Sequence, residues 1–216
     1  MKNVQPMDVK AVVVPGNRDH CAEVCREKVE KEGIYYANHV YNPFFYEGTK
    51  TYIYETYEQM GRIPEDIFVP LGNGTLFIGI MKGLEELLHS GVIEHMPQVV
   101  IVQSEKCQPF VKAMAAGKDD IAVEPVEPTL AEGIAIGVPL RSREILAYMN
   151  KYKVQGVVIP EDKILPAREK IARQGIYCEH TTAAVYAGYE RYCEEHGKPD
   201  EALLSMCGAG LKSDHG

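Results

Sequence analysis

The chain has 216 residues, of which 45% are apolar and 25% charged, and its formal net charge is −8. That length buries a real core as one large domain or one and a half ordinary ones, and the acidic balance excludes a nucleic-acid binder, which needs clustered Lys and Arg to displace counterions. No apolar run approaches the roughly 18 residues of a membrane span, and Met1-Lys2-Asn3-Val4-Gln5-Pro6 lacks the apolar stretch of a signal peptide.

These exclusions point to a cytoplasmic protein. Its six cysteines, Cys21, Cys25, Cys107, Cys178, Cys193 and Cys207, are irregularly spaced and read as reduced thiols. Cys21 and Cys25 share a helix face but have no further ligands nearby, so they read as small core residues rather than half a metal site. No metal centre is expected.

In chain order, residues 10–15 carry Ala11-Val12-Val13-Val14 and read as a buried strand. A helix follows over residues 18–32, capped by Asn17, with Cys21, Val24, Cys25 and Val29 at helical spacing. Residues 34–37 read as a short strand, residues 41–46 as irregular, and residues 49–61 as a helix closed by Gly61. A strand over 66–71 leads through a turn into a helix over 75–89. Val99-Val100-Ile101-Val102 reads as a strand buried on both faces.

Residues 109–116 form a short helix, and the proline-rich residues 121–129 a surface loop. Then come a helix over 141–151, a strand over 156–159, helices over 161–174 and 181–196, and a strand over 203–207. The alternation predicts an α/β fold: a mostly parallel twisted sheet with helices on both faces.

The most informative segment is Pro70-Leu71-Gly72-Asn73-Gly74-Thr75, where a buried strand gives way to a long helix. A helix start offers free N–H groups and the positive end of the dipole, and glycines let an anion approach closely. Spacing alone does not choose between a phosphate cradle and a tight turn that needs Gly and Asn for its backbone angles. A dinucleotide fingerprint would want a third glycine where Phe77 stands, and a P-loop would want Gly-Lys where the chain has Gly74-Thr75.

Six motifs recur in one order from Asn42 onward. They are Asn42-Pro43 with Glu47-Gly48-Thr49-Lys50-Thr51; Pro70 to Thr75; Val102-Gln103-Ser104-Glu105; Thr129-Leu130-Ala131-Glu132-Gly133-Ile134; Glu179-His180-Thr181-Thr182-Ala183-Ala184; and Cys207-Gly208-Ala209-Gly210-Leu211-Lys212. In this order they resemble the pyridoxal-phosphate enzymes of fold type II, the tryptophan-synthase-β-like family, and threonine synthase most closely. The resemblance implies a large cofactor-binding domain over residues 42–216 and, over residues 1–41, the tail of the smaller domain.

By that resemblance Gly72, Asn73, Gly74 and Thr75 hold the phosphate of pyridoxal 5'-phosphate. Cys207, followed by Gly208, faces the pyridine nitrogen, and Glu132 and Gly133 line the substrate pocket. Threonine synthases carry Thr before Gly-His-Gly-Leu-Lys at the last motif, whereas Cys resembles the serine and threonine dehydratase branch, so the chain borrows from both. A thiol opposite the ring nitrogen is a weak neutral partner, which suits elimination or replacement at the β carbon of an amino-acid substrate. Thr181 and Thr182, at a helix start, read as capping residues, and His180 before them carries no assigned role.

The resemblance also implies a Schiff-base lysine in an Asn-Pro-Thr-Gly-Ser-Phe-Lys-like segment. No such segment is found, and the catalytic residue therefore stays unknown. Lys50 follows Asn42-Pro43 at too long a spacing and matches instead a Gly-x-Lys-Thr segment that opens a helix. The chain is expected to be the C-terminal portion of a lyase, inactive alone, joining copies of itself or a separate N-terminal piece. The alternative is a non-catalytic ligand-binding or regulatory domain on the same scaffold. A third possibility, an unrelated nucleotide-binding domain, would use Glu94 as ribose-binding acid, but Glu94 precedes Met96-Pro97 in a loop rather than closing a strand.

Overall fold

A computed structural model describes residues 11–16, 18–123 and 126–212. The chain divides into two compact units, one ending at Ala37 and one beginning at Asn38. In the first, α1 (Arg18–Glu32) forms as the periodicity predicts, while the expected cap Asn17 lies outside the described residues. The strand expected at residues 10–15 does not form over 11–15: Val12 is 56% exposed and Val13 61%. Residues 34–37 are likewise not a strand. A run of strand-forming residues becomes a strand only when it pairs with a neighbouring strand, and neither segment is in a strand ladder among the described residues. Cys21 and Cys25 are exposed rather than core among the described residues.

The second unit holds a four-stranded sheet of β1 (Asp66–Pro70), β2 (Gln98–Ser104), β3 (Gln155–Ile159) and β4 (Ala202–Leu204). The spatial order is β3-β2-β1-β4 and every pairing is parallel. The central strands are buried on both faces and alternate between two cores. Ile67, Val69, Val99 and Ile101 face one; Phe68, Val100 and Val102 face the other.

The first core is covered by α2 (Pro43–Thr49), α3 (Thr51–Met60), α4 (Thr75–His89), α5 (Pro109–Ala115) and α6 (Ser142–Tyr152). The second is covered by α7 (Ile164–Ala172) and α8 (His180–His196). This division follows from chain direction. The crossovers from β1 to β2 and β2 to β3 move one way along the sheet, and the return from β3 to β4 moves the other, so right-handed crossovers place their helices on opposite faces.

Residues 41–46, expected to be irregular, run into helix α2. Asn42 caps it, its Oδ1 accepting from Phe44 N at 3.0 Å, and Pro43 takes the first turn, where a missing N–H costs nothing. The helix expected over 161–174 starts as a 3-10 turn, Glu161–Lys163, before α7. The last strand stops at Leu204 rather than Cys207. No helix among the described residues is long and apolar enough to cross a membrane.

Candidate functional site

Strand order alone marks one place in this sheet. The chain leaves β1 in one direction and returns to its other side as β4, so the β1/β4 edge is the switch point where open α/β sheets bind ligands. Phe68 pairs with Leu204, and Ser205 N donates to Phe68 O at 3.1 Å. The segment 71–75 therefore continues from β1, and 205–208 from β4, at one C-terminal edge.

The glycine loop is pinned on its strand side. Leu71 N donates to Val102 O at 3.1 Å, and Gln103 Nε2 donates to Leu71 O at 3.0 Å. Gln103 is fully buried, and its Oε1 also accepts from Phe110 N and Val111 N, each at 3.1 Å. One side chain thus satisfies a loop carbonyl and two otherwise orphaned amides at the start of α5.

The loop itself has room only for glycine. Gly74 sits at φ +77, and a Cβ there would lie 2.3 Å from Ile145 Cδ1. A Cβ on Gly72 would lie 2.8 Å from Gly133 O. Gly74 ends in the first turn of α4, which no side chain caps, and Ile78 N is the first amide bonded back, to Gly74 O at 2.8 Å. Behind the loop, Thr49 Oγ1 donates to Thr75 O at 3.3 Å.

The pocket residues expected from sequence meet this loop. Glu132 opens the 3-10 turn Glu132–Ile134, and the backbone of Gly133 packs on Gly72. Gly133 N donates to Thr181 Oγ1 at 3.2 Å, and Cys207 N donates to Thr182 Oγ1 at 3.1 Å. Thr181 and Thr182 are therefore not caps. The cap position of α8 is Glu179, whose side chain makes no capping bond, and the two threonines reach outward to tie the Gly133 turn and the Cys207 segment to one helix start. Helix periodicity gives no sign of this, because both partners are distant in sequence.

Burial pushes the Cys207 thiol up to about 11, with the Glu179 carboxylate adding to the effect, although the outer side of the residue is exposed. The sulfur is a neutral thiol at physiological pH, directed toward Ser205 O at 3.8 Å. Burial, reinforced by the Arg168 guanidinium, lowers the pKa of His180 below its ordinary value. Two groups at this edge are thus neutral donors or acceptors rather than charges.

Lys50 lies at the junction of α2 and α3, with its ammonium on both oxygens of Glu86 at 2.9 and 2.8 Å and on Glu47 at 2.5 Å. Those carboxylates raise its pKa well above the ordinary lysine value. Among the described residues no group of three or more His, Cys, Asp or Glu side chains is placed to hold a metal ion, and none of the six cysteines is in a disulfide.

A family model described as "Pyridoxal-phosphate dependent enzyme" matches residues 2–208. Among curated proteins, the chain is 28% identical over 207 residues to threonine synthase of Methanocaldococcus jannaschii, covering 94% of the chain and 51% of that protein. It is 30% identical over 184 residues to threonine synthase of Methanosarcina acetivorans, covering 84% of the chain and 45% of that protein. The chain thus spans about half the length of the curated relatives it matches. Among solved structures, the processed form of threonine deaminase isoform 2 from Solanum lycopersicum superposes with TM-score 0.71 at 20% identity, over 87% of this chain and 53% of that one. Maize serine racemase superposes with TM-score 0.71 at 17% identity, over 92% and 60%.

Proposed function

Because the chain belongs to the pyridoxal-phosphate-dependent enzyme family, we propose that its second unit is the cofactor-holding part of an amino-acid lyase or synthase of the threonine synthase or threonine dehydratase type. The observation that carries this reading is the pairing at the switch point: an uncapped glycine loop leaves β1 and a neutral thiol follows β4. The residues present fit the cofactor. Uncapped amides on Gly72, Asn73, Gly74 and Thr75 suit a phosphate dianion, and a protonated thiol suits an uncharged ring nitrogen.

When bound, the cofactor supplies an electron sink for bond breaking at the α carbon of the amino acid. The chain's own part is to hold and orient. The loop amides would hold the phosphate end, and the Cys207 thiol would offer the ring nitrogen a weak hydrogen bond without a charge that would keep a proton there, an environment that would suit elimination or replacement at the β carbon. Glu132 and Gly133, the latter tied to Thr181, would line the substrate side of the pocket. Residues 1–41 are the tail of the smaller domain in this proposal.

Lys50 is a poor covalent anchor, since a lysine that attacks a carbonyl must shed its proton, and two carboxylates hold this ammonium charged. That observation also favours a second reading, a ligand-binding module on the same scaffold. The two are separated by borohydride reduction of the chain with pyridoxal phosphate, followed by peptide mapping. The expected result is weak cofactor binding, scattered substoichiometric labelling and no turnover of serine, threonine or phosphohomoserine, with activity restored by the half of the enzyme that carries the lysine. A single stoichiometric pyridoxyl-lysine with turnover in residues 1–216 overturns it. No restoration by any such half favours the binding module.

A further inference from the structure

The segment after β4 is fastened to the start of α8 residue by residue. Gly210 N donates to Tyr177 O at 3.1 Å, Ala209 bridges Cys178 in antiparallel fashion, Glu179 N donates to Gly208 O at 3.0 Å, and Cys207 N donates to Thr182 Oγ1 at 3.1 Å. At the middle of this seam stands a carboxylate in an unusual posture. Glu179 occupies the cap position of α8, where a carboxylate is ordinarily drawn onto the free amides of the first turn. Its side chain makes no capping bond. It lies instead across Gly208, so close that a Cβ there would sit 2.7 Å from Glu179 Cδ and 2.9 Å from each of its oxygens.

We propose that Glu179 is the positioning residue for Cys207: it holds Gly208 through backbone and side chain together, and sets a negative charge beside the sulfur. The proposal rests on the reading that Cys207 meets the cofactor ring. Its chemistry follows from the neighbours of that sulfur. The carboxylate of Glu179 is the charged group that acts on it, the Tyr52 hydroxyl on α3 is in turn raised by the sulfur, and His180, next along α8, is held neutral. Glu179 is therefore the acidic neighbour that opposes the thiolate. A thiol kept protonated donates to the ring nitrogen, whereas a thiolate would repel its lone pair.

The test follows Cys207 itself in the full chain. Alkylation by iodoacetamide is measured against pH, with the modified peptide containing Cys207 quantified by mass spectrometry in wild type, Glu179→Gln and Glu179→Asp. Only the thiolate reacts, so Glu179→Gln is expected to raise the Cys207 rate about threefold at a fixed pH near 8, and Glu179→Asp to lie between. A threefold change corresponds to about half a pKa unit. Gly208→Ala, whose added methyl displaces the carboxylate while leaving it in the chain, provides a second route and is expected to act in the same direction. Unchanged or slower alkylation in Glu179→Gln, in a chain that melts like wild type, overturns the proposal. Should Glu179→Gln not fold, an unchanged rate in Gly208→Ala overturns it equally. Repeating the assay with pyridoxal phosphate separates the two claims: protection of Cys207 by the cofactor tests the ring contact, and the pH profile without it tests Glu179.

Discussion

His180 shows how one residue at the candidate site couples to stability. Burial, with Arg168 next, lowers its folded-state pKa, while in the unfolded chain it takes a proton near the usual value of about 6.5. As pH falls below that value the unfolded state binds more protons than the folded one, so the fold loses stability. Above it the contribution is fully present. The melting temperature should therefore drop more steeply between about pH 6.5 and pH 5 in wild type than in His180→Gln. Parallel thermal-denaturation profiles for the two proteins would show that His180 is not held neutral. At this scale the sequence displayed the site only where a residue's role is local. Gly72 to Thr75 stood out because a glycine loop between strand and helix carries its own signature, whereas Cys207 was singled out only by its resemblance to the family's last motif. Gln103, Thr182 and Glu179 could not, since each acts on a backbone group many positions away.

Among the elements, β2 and α5 owe their relation to one buried amide. Replacing Gln103 by Leu keeps the volume but strands Leu71 O and the amides of Phe110 and Val111. Each buried unpaired group costs about 1–3 kcal/mol, so Gln103→Leu should lower stability by roughly 3 kcal/mol or more by urea denaturation, and the α5 start should loosen first. A loss below about 1 kcal/mol would mean that water reaches these groups. The elements that sequence periodicity located correctly, α4 and β2 among them, are long or fully buried. The misread ones fail for visible reasons. α2 announces itself through Asn42 and Pro43 rather than through periodicity, and the valines at 12–14 carry strand propensity but pair with no strand among the described residues.

At the level of the whole molecule, the strand order β3-β2-β1-β4 was not legible in the chain, because periodicity names strands but not their neighbours. The order leaves β3 and the three-residue β4 as edges of the described sheet, and edges invite association. An aromatic surface adds to this: Phe44 is 80% exposed and Tyr41 51%, with Phe45 beside them. The chain should sediment above the mass of one copy at micromolar concentration, and Phe44→Lys should shift it toward the monomer. A wild-type chain that stays monomeric at those concentrations would refute self-association through this surface.

Two helix starts lie at the same sheet edge and are finished differently. That of α5 is filled by Gln103, whereas that of α4 receives no side-chain capping hydrogen bond. Amides of Phe110 and Val111 should therefore exchange their hydrogens slowly with solvent at all times, protected by a fixed partner. Those of Thr75, Leu76 and Phe77 have no side-chain cap, so their exchange should slow when an anion binds. The protein thus carries its own reference and its own probe at one sheet edge: the deuterium uptake of α4 relative to α5 becomes a gauge of anion occupancy that needs no label and no turnover.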